Sequence, residues 1–324
     1  VVWVSGLKAG DAVTLGQALA TLESGAAQQD VVDARIAVED ARLTLEKNTL
    51  QAPIDYDQLK LDVEKAKRDL ENAYQDAYSS ISEAFIELPD VVVGAEDILY
   101  GEDLSNVAQN VDSYKNLFSA SDIKTKETLA FFADTAEEDY ASARTAYDAE
   151  LIEYKKIKRD SAHALIDTRL SETRHMAGLM AQALSSELNL IDAVVDLLSQ
   201  SARAILPSIT TGQTSARSHI TTSNAVLASL TTAQNSLETA KDALLDAERA
   251  LAVASIGNPD GTNPFDVKMQ QNTLKQKQAA LAEAERTLAN HTIRSPFSGV
   301  LASLSVKRGD SLSSGTSIGS VITD

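Results

Sequence analysis

The chain has no cysteine, six prolines and only 5% aromatic residues among its 324 positions. Without cysteine, neither a disulfide nor a thiolate metal site can form. With Pro at 6 and Gly at 14, long stretches are free of helix breakers. Basic residues are scarce too: 29 Lys and Arg stand against 47 Asp and Glu, a formal net charge of −18. Such a chain has no electrostatic footprint for nucleic acid and little for anionic lipid. There is no run of about 18 apolar residues and no signal peptide. Strand-like sequence starts at Val1 (VVWV), so the chain reads as a piece of a longer protein.

Histidines are few and scattered: His163, His175, His219 and His291. None shows the His-Glu-x-x-His spacing of a zinc protease, and no phosphate loop or nucleophile elbow is present. GNPDGTNPFD (257–266) resembles a calcium loop only in part. A loop starting at Asn258 would need a bidentate Glu where Met269 stands. These absences predict no catalytic residue, no metal and no cofactor.

What is abundant is Ala, Leu, Ser and Glu, the composition of long helices with small-residue seams. What is repeated is a short β motif. Leu7–Glu23 (LKAGDAVTLGQALATLE) aligns without a gap on Val306–Ile322 (VKRGDSLSSGTSIGSVI) at a constant offset of 299 residues. Lys8 falls on Lys307, Gly10 on Gly309, Asp11 on Asp310 and Gly16 on Gly315. The apolar positions match as Leu7/Val306, Val13/Leu312, Leu19/Ile318 and Leu22/Val321. Gly-Asp is a tight-turn signal, and the flanking apolar residues suit short strands. Neither copy can bury a sufficient core alone. The copies are therefore expected to pack together, which turns the intervening chain into one insertion.

The first Gly-Asp motif, a helical hairpin, then Ile293–Val300 (IRSPFSGV) and the second Gly-Asp motif together resemble periplasmic adaptor subunits. These are the membrane fusion proteins of the haemolysin-D type, which serve efflux pumps and type I secretion. The resemblance is close over roughly residues 5–24 and 288–324. It implies a lipoyl-like β-barrel-sandwich split by a long antiparallel coiled coil that widens into a helical bundle. The fold class expected is thus mainly α with a small all-β domain. Gly10, Asp11, Gly16, Pro296, Gly299, Gly309, Asp310 and Gly315 would shape its turns.

As function, the resemblance implies a non-catalytic adaptor that couples a membrane transporter permease, ABC-type or proton-driven, to export. It implies a homo-oligomeric ring, an outer-membrane channel as a further partner, and an extracytoplasmic location with a membrane anchor outside this soluble piece. The same fold carries biotin or lipoate on a Lys at the hairpin tip between its halves. Here the insertion holds that place, and Lys8 and Lys307 precede turns instead. A helical scaffold or surface-binding protein, with the β domain as a clasp, is the other alternative.

Between the repeats, Val31, Val38 and Leu45 recur at sevens, with Ile36, Leu43 and Leu50 as a second row, which is a coiled-coil seam. Pro53 is expected to end this helix and Pro89 the next. Residues 89–120 read as irregular, with one or two short helices. Val267, Leu274, Leu281 and Leu288 repeat at sevens before the second β motif. The first and last helices are nearly equal in length, about 37 Å at 1.5 Å per residue.

The expected domains are 1–25 plus 291–324, 26–52 plus 265–290, and a distal four-helix bundle over 53–264. Chain direction requires the apolar stretch 121–205 to leave and return on one side. The polar Lys155–Ser161 is the expected turn, with one unbroken helix of about 85 residues as the alternative. Pro207 and Gly212 are read as the following turn. Tyr140, Tyr147 and Tyr154 suit a bundle core with hydroxyls at its rim.

The outer end of the bundle is the candidate contact surface, with Pro89, Asp90, Thr210, Thr211, Gly212 and Gln213 exposed there. Arg169-Leu170-Ser171 has the residue types of the family's docking motif. In the family these are spaced along the tip, so the contiguous match reads as coincidence.

Overall fold

The structure, a computed structural model, describes residues 2–4, 6–105, 107–118, 122–256, 258 and 260–323. Val1, Ser121, Gly257, Pro259 and Asp324 of the segments read above lie outside the described residues. In chain order the elements are β1 (Val2–Val4), β2 (Ala12–Val13), β3 (Ala18–Leu22), α1 (Gly25–Tyr100), α2 (Asn110–Lys115) and α3 (Ile123–Tyr154). Then follow α4 (His163–Gln200), α5 (Pro207–Ala254), α6 (Pro264–Asn290), β4 (Thr292–Arg294), β5 (Gly299–Leu304) and β6 (Gly319–Ile322). The fold is mainly helical with two small antiparallel sheets. It divides into a terminal unit, Val1–Lys60 with Ala250–Asp324, and a helical unit, Leu61–Arg249.

In the terminal unit both sheets draw strands from both ends of the chain. Their orders are β1-β3-β4 and β2-β5-β6. The repeat seen in the sequence is also a repeat of register. Val2 pairs with Leu22 in the first sheet, and Leu301 with Val321, each 299 residues further on, in the second. Short hairpins are marginal alone, and a third strand from the opposite terminus completes each sheet.

Two apolar clusters lie in this unit. One is built on Val13, Leu19 and Leu301, with Leu7, Leu304 and Val321 packed against it. The other is built on Ala20 and Val306, with Leu22, Leu304, Leu312 and Ile318 against it.

The start of α1 runs beside α6. Val31 is buried, and Val38, Leu45, Val267, Leu274, Leu281 and Leu288 are half-buried along the seam. The exposed pair Arg35–Glu285, 3.7 Å apart, joins the two helices and contributes little. The second row, Ile36, Leu43 and Leu50, stays exposed. After α5 the chain turns back onto α1 at Gly261. With φ of 79° and a would-be Cβ 2.5 Å from Tyr56 Cβ, this position excludes a side chain.

Pro53 does not end the first helix, and Pro89 does not end a second: α1 is continuous through both. A helical proline removes one hydrogen bond and costs about 3 kcal/mol, which local burial can exceed. Leu88, Val91 and Val92 are all buried around Pro89. The Gly261 turn packs on Ala52 and Tyr56 on either side of Pro53. Of the segment read as irregular, residues 89–100 are therefore helical. The later part holds, among the described residues, one short helix, α2.

The helical unit comprises the later part of α1, then α2, α3, α4 and α5 up to Arg249, around one apolar core. Its fully buried members include Ile81, Leu99, Leu129, Met180, Ile191 and Leu230. Alanines 133, 136 and 143 bring α3 close to its neighbours, and Tyr140 and Tyr147 are buried as a core row.

The stretch 121–205 holds two helices, turning between Tyr154 and His163, where the chain-direction argument places it. No glycine is needed there. Ile157 buries itself under the turn, and Ser161 Oγ accepts from the Lys158 N–H at 2.9 Å.

The next turn, however, lies at 201–206, ahead of Pro207. Pro207 is the first residue of α5, where a missing N–H costs nothing. Gly212 sits inside the helix because Ile209 and Ala216 anchor this face in the core. Among the described residues, no helix is long and apolar enough to cross a membrane.

Candidate functional site

Gly10, Asp11 and Gly16 lie in turns that Gly309, Asp310 and Gly315 duplicate, whereas Gly299 lies in β5. The Lys8 N–H donates to Asp11 Oδ2 at 2.8 Å, and the Lys307 N–H to Asp310 Oδ2 at 2.7 Å. The Asp11 N–H closes the turn on the Lys8 carbonyl at 3.1 Å, and the Asp310 N–H on Lys307 at 3.2 Å. Between them Gly10 and Gly309 adopt φ of 100° and 93°, a region costly for any residue with a Cβ. Gly16 and Gly315, at φ of 80° and 86°, repeat the match one turn later. Asp is required because its carboxylate satisfies an N–H that the turn would otherwise leave open.

The Ile293–Val300 motif clamps the first repeat. The Arg294 guanidinium donates to the Gly16 carbonyl at 2.9 Å. Ser295, buried, exchanges backbone bonds with Gly16 and Gln17, both at 2.9 Å. Ser298 Oγ accepts from the Leu15 N–H at 3.0 Å. Pro296 is exposed at the bend between β4 and β5. A Cβ on Gly299 would fall 2.1 Å from the Ile322 carbonyl oxygen, so β6 needs a bare backbone there.

The candidate tip residues are not in loops. Pro89 and Asp90 lie within α1, and Thr210, Thr211, Gly212 and Gln213 in the first turns of α5. Gln213 donates to Asp192 of α4. Thr211 and Gly212 instead line a groove of about 430 Å³ with His219 and with residues that sequence reasoning passed over: Asp97, Asp103 and Tyr114.

The His219 ring lies on α1 where Gly94 leaves the backbone bare. A Cβ at Gly94 would stand 2.0 Å from Nε2. Burial lowers the His219 pKa, with Asp90 opposing. Asn110 is buried and ties the groove's floor, donating to the Asp97 carbonyl at 3.1 Å and accepting from the Leu104 N–H at 3.1 Å. Burial, with Asp103 and Glu187 adding, pushes the Tyr114 phenol up to about 12. In the sequence Gly94 falls in a stretch that reads as irregular and Gly212 in one that reads as a turn, so neither points to this groove.

Two carboxyls lie deep in the helical unit. Glu150 of α3 meets Arg169 of α4 at 2.6 Å and Thr173 at 3.2 Å. Burial raises its pKa, and Arg169 opposes the rise. Leu170 is buried beside it, so Arg169 and Leu170 are occupied inside the bundle while Ser171 is exposed. Glu187 is fully buried, and neither oxygen has a hydrogen-bond partner among the described residues. Burial raises its pKa well above the carboxylate range.

A third polar group joins α1, α4 and α5. The Tyr74 hydroxyl donates to Asp167 Oδ2 at 3.1 Å, and Lys241 Nζ to Asp167 Oδ1 at 2.7 Å. His163 stacks on Tyr74 at 3.7 Å and lies 3.1 Å from Glu71. Here charges are matched across helices, and each partner is committed to another. His291 caps α6, with Nδ1 2.9 Å from the Thr287 carbonyl. No group of three or more His, Asp or Glu residues could hold a metal ion among the described residues.

No protein-family model matches the chain, and no curated protein matches it.

Proposed function

We propose that this chain is the lipoyl-like domain and helical arm of a non-catalytic adaptor, a membrane fusion subunit of an export system. The observation that carries the reading is the interlocking of the two end repeats. Each sheet and each apolar cluster takes residues from both termini. A β unit built that way makes the 268 residues between Glu23 and Thr292 an insertion whose two ends meet at one place.

In this reading the two sheets form a barrel-sandwich that stacks with further copies into an extracytoplasmic ring. The helical insertion acts as the projecting arm, and its far end meets an outer-membrane channel. No residue performs chemistry. The mechanism is geometric: a stiff insertion sets the separation between the β ring and whatever the arm meets.

The test is site-directed photo-crosslinking in the native host, from a label at Thr14 or Ser313 in the exposed turns. The expected products are crosslinks to a second copy and to an integral-membrane transporter subunit, ABC-type or proton-driven. Crosslinks solely within one chain, or solely to partners outside any membrane, would overturn it.

A further inference from the structure

The two β repeats match in sequence, turn and register, but they are not equally covered. The turn of the first, residues 14–17, lies under the segment 294–298. The Gly16 N–H donates to the Ser295 carbonyl and the Ser295 N–H to the Gln17 carbonyl, both at 2.9 Å. The Leu15 N–H donates to Ser298 Oγ at 3.0 Å, and Arg294 holds the Gly16 carbonyl. Further along β3, the Leu22 N–H donates to the His291 carbonyl at 2.7 Å.

The second repeat builds the same turn without that cover. The Thr316 N–H closes on the Ser313 carbonyl at 3.1 Å, as the Gln17 N–H does on Thr14 at 3.1 Å. The Ser314 and Gly315 N–H groups, counterparts of Leu15 and Gly16, have no partner among the described residues. Burial differs at each matched position. Val13 and Leu19 are buried, whereas Leu312 and Ile318 are only half-buried; Gly16 and Gln17 are half-buried, whereas Gly315 and Thr316 are exposed. These four residues of the second repeat line a cleft of about 380 Å³ together with Leu22 and Glu23.

The open side continues along β6. Leu301 commits both backbone groups towards the first repeat, its N–H to the Asp11 carbonyl at 3.0 Å and its carbonyl to the Gly10 N–H at 2.8 Å. Val321 faces Leu301 in register, so this is a non-hydrogen-bonded antiparallel pair. The Val321 N–H and carbonyl therefore project from the outer edge of β6. β3 has a strand on each side, but β6 has one neighbour, β5. An unpaired edge of this kind is a template for another extended segment.

We propose that the cleft and the β6 edge bind a peptide partner with the chemistry of residues 291–298. That chemistry is a β-branched residue and an arginine in extended conformation, then Ser-Pro and a second serine at a bend. The peptide would lie beside β6 as β4 lies beside β3, by strand addition. Its first serine carbonyl would accept from the Gly315 N–H and its second serine hydroxyl from the Ser314 N–H. Its arginine would find charge complementarity in Glu23, which lines the cleft and has no ion-pair partner among the described residues. The inference rests on the internal symmetry of the β unit and does not require the adaptor reading.

The probe is the synthetic peptide HTIRSPFSG, the sequence of 291–299, added to the whole chain, with amide hydrogen exchange as readout. Exchange at Ser314, Gly315 and Val321 should slow about tenfold once the peptide stands at about ten times its Kd. The same peptide N-methylated at its first serine lacks the N–H that Thr316 would accept, and should slow exchange far less. Ser314→Pro removes one proposed donor at the second position of a type II turn, where Gly315 at φ 86° supplies the third and proline is favoured. That variant should keep its fold and bind the peptide several-fold more weakly. No slowing with the peptide, equal slowing with its N-methylated form, or undiminished binding by Ser314→Pro would each overturn the proposal. So would concentration-dependent protection of Val321 without peptide, which would assign the edge to a second copy of the chain.

Discussion

Leu22 and Val321 occupy equivalent positions in the two repeats, and each packs in the cluster that holds the first three apolar positions of the other repeat. Leu22 belongs to the cluster with Val306, Leu312 and Ile318, and Val321 to the cluster with Leu7, Val13 and Leu19. The first three apolar positions of each copy stay in one cluster and the fourth crosses over. This exchange makes the two termini one folding unit, and it does so with half-buried residues of ordinary size.

Leu22→Ala should therefore weaken the far repeat. It should cost about 1–3 kcal/mol, as for partial loss of a buried leucine. The loss should appear as faster hydrogen exchange at Ser305, whose N–H donates to the Ile318 carbonyl at 2.9 Å. Val321→Ala should act reciprocally on the first repeat, with protection lost at Gly10, which donates to Leu301.

Ala202 ends α4 in a left-handed conformation, φ 54°, with the Arg203 N–H reaching back to the Leu198 carbonyl at 2.9 Å. That cap is usually glycine, because a Cβ costs about 1–2 kcal/mol there. Ala202→Gly should stabilise the helical unit by about 1 kcal/mol in urea unfolding, with no change in helix content.

Glu187 gives stability a pH slope. Its folded pKa is raised well above 4.5 by burial. The unfolded chain therefore loses this proton first as pH rises. Its contribution is most favourable below pH 4.5 and declines as pH climbs toward the folded pKa. Glu187→Leu should flatten that part of the slope and stabilise the protein at pH 7 by about 1–3 kcal/mol, the cost of an unsatisfied buried polar group. Unfolding by urea at several pH values checks both points.

Arg169 is the counterweight to Glu150 between α3 and α4, with side chains only 14% and 7% exposed. Arg169→Met should leave a buried carboxylate without its ion partner and cost about 3–5 kcal/mol. The double change with Glu150→Leu should recover most of the loss, which a double-mutant cycle measures directly.

Much of the architecture could be read in the residues. The repeat was legible because each copy carries the same turn chemistry: Asp11 and Asp310 bond the same backbone groups, and Gly10 and Gly309 share one conformation. The α3–α4 turn had no glycine or proline to mark it. Chain direction required it, and the polar run Lys155–Ser161 placed it. Proline misled three times. Pro53 and Pro89 lie inside α1, where neighbouring packing outweighs one lost hydrogen bond, and Pro207 opens α5 rather than preceding it. The candidate tip residues, read as loops, consequently lie in helices. The groove was invisible for a different reason: Asp97, Asp103, Tyr114 and His219 come from separate segments, and only the fold assembles them.

Hydrogen exchange at β3, compared between the whole chain and one ending at Asn290, reports most directly on whether the termini form one unit. Ala18–Leu22 pairs with β4 on one side and β1 on the other. Removal of 291–324 should abolish protection across β3 while the helical unit keeps its own. If β3 stayed protected without the distal strands, the first repeat would fold by itself, and the account of an interlocked β unit with an inserted arm would be contradicted.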